Sequence, residues 1–75
     1  MNATFDILLW ENNLLVNFAA RGYETLEAAK SFAREAATHW TADVTILPRD
    51  KEGFITLPVY HYNRATNRFR QGDWV

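Results

Sequence analysis

Apolar side chains recur every three or four positions in one stretch of the chain, from Thr25 to Trp40. The recurring residues are Leu26, Ala29, Phe32, Ala33, Ala36, Ala37 and Trp40. This spacing places them on a single stripe of an α-helix. Thr25 suits the N-cap position, because its hydroxyl can accept a hydrogen bond from a first-turn amide that has no partner within the helix. Four alanines on the stripe keep the helix thin, so we expect it to approach a sheet closely.

Before this helix, the chain shows the alternation of apolar and polar residues that is typical of β-strands. Thr4 to Trp10 predicts a first strand with one fully apolar face, and Leu14 to Ala19 predicts the returning strand. The residues between them, Glu11-Asn12-Asn13, favour a tight hairpin turn because asparagine tolerates a positive φ.

After the helix, the pattern predicts two further strands and a short last one. Asp43 to Leu47 forms a strand that we expect Pro48 to end, because proline has no amide to donate to a ladder. Phe54 to Tyr62 predicts a longer strand, and Pro58 within it indicates an edge position or a bulge. Arg68 to Gln71 is predicted to pair back as a short last strand.

The order β-β-α-β-β-(β) predicts a single α+β domain spanning residues 1–75, in two layers. One antiparallel sheet of four to five strands carries a single helix packed on one face, since short links join antiparallel neighbours. We expect the other face to stay open and to display an apolar patch of the kind that marks interaction surfaces. Its expected members are Leu8, Trp10, Leu15, Thr45, Leu47, Tyr60 and Tyr62.

Composition restricts the location of the protein. The chain has no cysteine, which excludes disulfides and cysteine-based metal sites and favours a cytoplasmic protein, because small secreted domains usually need disulfides. The first ten residues lack the features of a signal peptide, and no apolar run is long enough to span a membrane.

The net charge of −1 divides into −3 for residues 1–47 and +2 for residues 48–75, which permits a local basic patch.

Candidate catalytic and metal-binding residues are scattered. His39 and His61 are not at ligand spacing, and the only serine, Ser31, has no evident base beside it. The three glycines are isolated and cannot form a phosphate-binding loop. We therefore predict a non-catalytic protein without a metal or other cofactor.

The stretch from Val59 to Arg70 interleaves aromatic residues with arginines and is the predicted binding site. The candidates are Tyr60, Tyr62, Arg64, Arg68, Phe69 and Arg70, with Trp10 and Trp74 as apolar anchors. This mixture suits a protein interface, where tyrosine, tryptophan and arginine act as anchors. It also suits single-stranded nucleic acid, the second interpretation, through base stacking and phosphate contacts. An ordinary hairpin with solvated arginines, and a homodimer joined through the open sheet face or an edge strand, are the remaining interpretations.

In size and layout, with strands around the helix TLEAAKSFAREAATHW followed by a basic-aromatic tail, the chain resembles the small phage-encoded inhibitor proteins, the anti-CRISPR proteins among them. The resemblance covers the whole chain as a pattern and transfers no site residue. It implies a compact α+β domain that occupies a surface of a larger protein or nucleoprotein complex and thereby blocks or adapts it.

Overall fold

The computed structural model describes residues 3–11 and 14–73 and shows one open antiparallel sheet with a single helix. The α+β fold class is therefore confirmed. The sheet has the strand order β2-β1-β3-β4-β5, and the predicted last strand is present. The elements are β1 Thr4–Glu11, β2 Leu14–Tyr23, α1 Leu26–Trp40, β3 Asp43–Arg49, β4 Val59–Asn63 and β5 Arg68–Gly72. The predicted turn at Asn12 and Asn13 lies outside the described residues.

Helix α1 begins and ends as its sequence dictates. The Thr25 hydroxyl accepts a hydrogen bond from the amide of Ala28 at 3.1 Å, which confirms Thr25 as the N-cap. Thr41 takes the left-handed conformation, with φ 55°, and its amide bonds back to the carbonyl of Ala37. This turn stops the helix and directs the chain into β3.

The main core lies between α1 and one face of the sheet. The four stripe alanines are fully buried there, as predicted, and they pack against the apolar positions of β1 and β3. The buried strand residues are Ile7, Leu9, Val44 and Ile46. Because alanine side chains are short, the helix axis can approach the two central strands closely.

The two largest side chains of the predicted stripe behave differently. Phe32 is half-buried and packs with its ring centroid 5.5 Å from that of Tyr23. Trp40, which the stripe placed in the core, is 50% exposed, so that expectation is wrong. Trp40 lies on the same side of the helix as Ala33, two turns earlier. It is the last residue of the helix, and its ring packs edge-on against that of His39.

The opposite, helix-free face of the sheet is not the open apolar patch that the sequence predicts. Leu8 and Leu47 are 2% and 1% exposed and form a second small cluster with Val59. Tyr60 and Tyr62 lie on the helix side, because they pair with Ile46 and Val44 and directly paired residues share a face. A homodimer joined through the open sheet face thereby loses these apolar contacts, whereas one joined through an edge strand stays a prediction.

Three predicted strand boundaries are also wrong. β2 continues to Tyr23 instead of ending at Ala19, and β4 begins only at Val59, after the cis peptide between Leu57 and Pro58. β3 continues through Pro48 to Arg49. The carbonyl of Pro48 accepts a hydrogen bond from the amide of Thr56. The nitrogen of Pro48 points to the same side of the strand as its carbonyl, so it faces away from β1. The missing amide proton of Pro48 therefore costs no hydrogen bond between β1 and β3.

The β3–β4 connection, residues 50–58, contains a braced turn. The Asp50 carboxylate accepts from the amides of Glu52 and Phe54 at 3.0 and 2.9 Å. Gly53 has φ 91° and donates to the Asp50 carbonyl. The turn presents Phe54 and Leu57 to solvent, 70% and 62% exposed. Within the described part of the chain, no helix is long and apolar enough to cross a membrane.

Candidate functional site

A groove of about 530 Å³ lies on the helix-free face, at the end of the sheet where β3 begins and β4 ends. It crosses four strands of the sheet, β1, β3, β4 and β5, and includes the β4–β5 turn. Its lining residues include Trp10, Asp43, Val44, Thr45, His61, Tyr62, Asn63, Thr66, Arg68, Phe69 and Arg70. We call this surface the groove.

Strand register explains why these residues meet. Thr45 pairs with His61, and His61 pairs with Arg70, so the three side chains form one row across β3, β4 and β5. Asn63 pairs with Arg68 in the next row. Because alternate residues of a strand point to the same face, Arg68 and Arg70 both lie on the groove side, although they are separated in sequence by Phe69.

A chain of hydrogen bonds fixes the floor of the groove. The Trp10 indole Nε1 donates to the hydroxyl of Thr45 at 2.6 Å, and that hydroxyl lies 2.9 Å from Nδ1 of His61. His61 Nε2 lies 3.0 Å from the carbonyl oxygen of Asp73. A carbonyl only accepts, so Nε2 carries the proton. In the neutral ring Nδ1 then accepts from the Thr45 hydroxyl. We call this chain of hydrogen bonds through Trp10, Thr45, His61 and Asp73 the relay. It connects β1, β3, β4 and the segment that follows β5.

The β4–β5 turn, residues 64–67, is held just as firmly. The carboxylate of Asp43 accepts from the Arg64 amide at 3.0 Å. The side-chain oxygen of Asn63 accepts from the amide of Thr66, and the main-chain carbonyl of Asn63 accepts from the amide of Asn67. Asn67 adopts φ 61°, a conformation that asparagine tolerates. The turn therefore sets the position at which β5 and its two arginines begin.

The structure divides the sequence-predicted site residues between two faces. Trp10, Arg68 and Arg70 come together in the groove, and Arg64 is exposed on the adjoining turn. Tyr60 and Phe69 are half-buried against the core on the helix face, and Phe69 also lines the groove. Trp74 lies outside the described residues.

Tyr62 lines the groove but is almost wholly buried. It is 3% exposed within the main core, and its ring centroid lies 4.8 Å from that of Phe69. Its hydroxyl donates to the side chain of Asn67. The ring of Tyr62 therefore anchors the β4–β5 hairpin beneath α1 and is not displayed to a partner.

Positive charge is concentrated around β5. Among the described residues, no carboxylate forms an ion pair with Arg64, Arg68 or Arg70, and all three are exposed. On the opposite face, Lys30 Nζ lies 5.2 Å and the Arg34 guanidinium 5.3 Å from the ring centroid of Phe69. The last strand therefore has cations on both sides, although the protein as a whole carries −1.

The groove also contains residues that sequence reasoning left out of the site, namely Asp43, Thr45, His61, Asn63 and Thr66. A threonine within the apolar run VTIL is the only local signal for Thr45. Its partners Trp10 and His61 lie 35 and 16 residues away, a juxtaposition that depends on strand register.

Nothing in the groove forms a metal centre, since no group of three histidine, aspartate or glutamate side chains in residues 3–11 and 14–73 could hold an ion. Comparison with protein families, with characterised proteins and with solved structures finds no match to this chain. The groove itself is therefore the basis for inferring a function.

The relay makes a testable structural prediction. Thr45→Val keeps the shape of a fully buried side chain but removes the acceptor for Trp10 Nε1 and the hydrogen-bond partner of His61 Nδ1. We expect a loss of about 1 to 3 kcal/mol in the free energy of unfolding. The ¹⁵N resonance of His61 Nδ1 should also move, because Nδ1 loses its hydroxyl donor while the carbonyl of Asp73 keeps the proton on Nε2. Thr45→Ser retains the hydroxyl and should keep the Nδ1 resonance of the unsubstituted protein; the same Nδ1 resonance in both variants would contradict the relay.

Proposed function

We propose that this protein is a non-catalytic binding protein that blocks or adapts a larger protein or nucleoprotein partner through the groove and the arginines around it. Its specific form is an inhibitor of a host defence complex, as the resemblance to small phage-encoded inhibitors implies. The observation that carries the proposal is that Trp10, Arg68 and Arg70 line one groove, whose floor is fixed by the hydrogen bonds of Thr45.

Pre-organisation supports binding by this surface. The groove floor is hydrogen-bonded across three strands and the adjoining turn is braced by Asp43 and Asn63. A partner that docks there pays little to order the surface, which favours affinity. Arginine and tryptophan are also the residue types that dominate binding energy in protein interfaces.

The charges indicate an acidic partner surface. Arg64, Arg68 and Arg70 extend from the turn and β5 without a carboxylate partner in the described residues. Guanidinium groups bind carboxylates through paired, charge-assisted hydrogen bonds. An acidic patch on a protein, or the phosphates of a nucleoprotein, would supply the complementary charge. The proposed mechanism is steric, because the bound domain occupies the surface that the partner needs.

Capture of the partner from the native host, identified by mass spectrometry, tests the proposal. We expect Arg68→Glu to weaken capture by roughly tenfold or more, since it reverses a charge at a contact. Lys51→Glu changes the net charge by the same amount at an exposed position in the β3–β4 connection and should leave capture unchanged. Arg64→Glu combined with Arg68→Glu should abolish capture, and the circular dichroism spectrum of this variant should remain that of the folded protein. Equal capture by all variants would contradict the proposal.

Single-stranded nucleic acid is a second candidate, favoured because the Trp10 indole and two arginines line the same groove. Bases stack on such rings, and guanidinium groups contact phosphates. If Arg68 and Arg70 each contact one phosphate, log K should fall against log salt with a slope of about −1.4. Arg70→Gln should reduce that slope by about 0.7, as measured by tryptophan fluorescence with an oligothymidylate. A flat salt response would exclude this candidate.

A further inference from the structure

The last strand is an edge of the sheet. β5 pairs with β4 on one side only in the described structure, where it ends the order β2-β1-β3-β4-β5. In an antiparallel sheet, every second residue of an edge strand directs its N–H and C=O groups outward. Strand Arg68–Gly72 thus offers a row of main-chain donors and acceptors to an incoming extended segment.

The side chains along this edge are basic on both faces of the sheet. Arg68 and Arg70 are exposed on the groove side. On the helix side the edge presents half-buried Phe69, flanked by the cations of Lys30 and Arg34. Four positive charges therefore surround one short strand, and Phe69, between Arg68 and Arg70, offers an aromatic ring.

We propose that β5 accepts an extended acidic segment of the partner protein as a sixth strand. This inference rests on the proposed function and names the chemistry of the partner. Residues directly opposite one another in a sheet share a face, so two acidic residues separated by one position would face Arg68 and Arg70. The residue between them would face Phe69 and should be apolar. The expected pattern is acidic, apolar, acidic.

A second copy of this chain fits the same edge poorly. An antiparallel copy centred on β5 would place Arg70 opposite its own counterpart, and like charges directly opposite destabilise a sheet. Arginines on an edge also discourage unwanted strand pairing. A purely protective role would require only that the edge residues are charged. The proposal requires in addition a partner segment with alternating acidic residues that forms main-chain hydrogen bonds with β5.

The experiment titrates the full chain with synthetic peptides while amide hydrogen exchange is followed by NMR. The test peptide has eight residues that alternate glutamate and valine. One control has the same composition with the glutamates and valines in separate blocks. The other control is the alternating peptide with every second amide N-methylated. It is made in two versions, one methylated at the glutamates and one at the valines, so that each version removes the donors from one edge of the peptide. Titration extends to about 2 mM, where a complex with a Kd near 1 mM is more than half formed.

We expect the alternating peptide to bind and to slow the exchange of alternate β5 amides. The block peptide should bind roughly tenfold more weakly. One of the two methylated versions should not protect β5, because methylation removes the donors that face the strand. Arg68→Gln and Arg70→Gln should each weaken binding by up to about fivefold, and Lys51→Gln should not.

Three outcomes would overturn the inference: no protection of β5 amides at the highest concentration, equal binding of the alternating and block peptides, or protection by both methylated versions. An oligothymidylate that displaces the alternating peptide at lower concentration would assign the edge to nucleic acid instead. Partner capture that depends on Arg68 while peptides leave β5 unprotected would disprove strand addition and leave the proposed function standing. Capture that is insensitive to Arg68 would disprove the proposed function itself.

Discussion

Ile46→Ala is expected to lower the free energy of unfolding by about 4 kcal/mol, within the range for removing a large aliphatic side chain from a core. Ile46 lies on β3, the central strand, with 0% exposure beneath the alanines of α1. A domain of this length has a total stability of roughly 4 to 11 kcal/mol. The variant should therefore be partly or largely unfolded at room temperature, as measured by circular dichroism and urea titration.

Two variants serve as controls for this prediction. Ile46→Val should cost only about 1 kcal/mol, because it removes one methylene group. Ile55→Ala makes the same chemical change as the test variant at a position that is 38% exposed, and it should cost less than about 1 kcal/mol. If Ile46→Ala and Ile55→Ala shifted the urea midpoint equally, α1 would not cover β3 as described.

Arg49→Ala should cost about 3 kcal/mol, the low end of the range for breaking a buried ion pair. Arg49 Nε lies 2.7 Å from the carboxylate of Asp6, whose side chain is only 7% exposed. The same carboxylate accepts from the Gly22 amide, and Arg49 also donates to the carbonyl of Gly53. The arginine side chain is 29% exposed, so solvent reduces the cost. Urea titration measures the loss.

A double-mutant cycle separates the pair from its surroundings. Asp6→Ala combined with Arg49→Ala should cost less than the sum of the single changes by about 1 to 2 kcal/mol, because the second change removes a charge that the first left without its partner. Arg64→Ala is the matched control, since its exposed side chain has no ion pair among the described residues; it should change stability by less than about 0.5 kcal/mol. An additive cycle would contradict coupling.

The sequence predicted the helix almost completely, because each of its signals is local. The period of the stripe, the N-cap at Thr25 and the four buried alanines depend on residues within one or two turns of each other. Four strands and a possible fifth were predicted along the chain, whereas their order within the sheet was not predicted. Their ends were less predictable, since extension of β2 to Tyr23 and of β3 through Pro48 depends on pairing with β1.

The candidate site was predicted only in part. Trp10, Arg68 and Arg70 do lie together in the groove, but Tyr60, Tyr62 and Phe69 belong to the helix side. A shift of one residue in register moves every side chain of a strand to the other face. Alternation within Val59 to Arg70 shows which residues share a face, but it cannot show which face the helix covers.

The sequence by itself determined the fold class, the helix with its cap, and the excess of positive charge in the last third of the chain. Only the tertiary structure decided that Leu8 and Leu47 are covered, that Tyr62 is core, and that Trp10, Thr45 and His61 are joined by hydrogen bonds. The physical reason is range. Helical periodicity and capping act between near neighbours, whereas strand register and face depend on contacts between residues that are far apart in the chain.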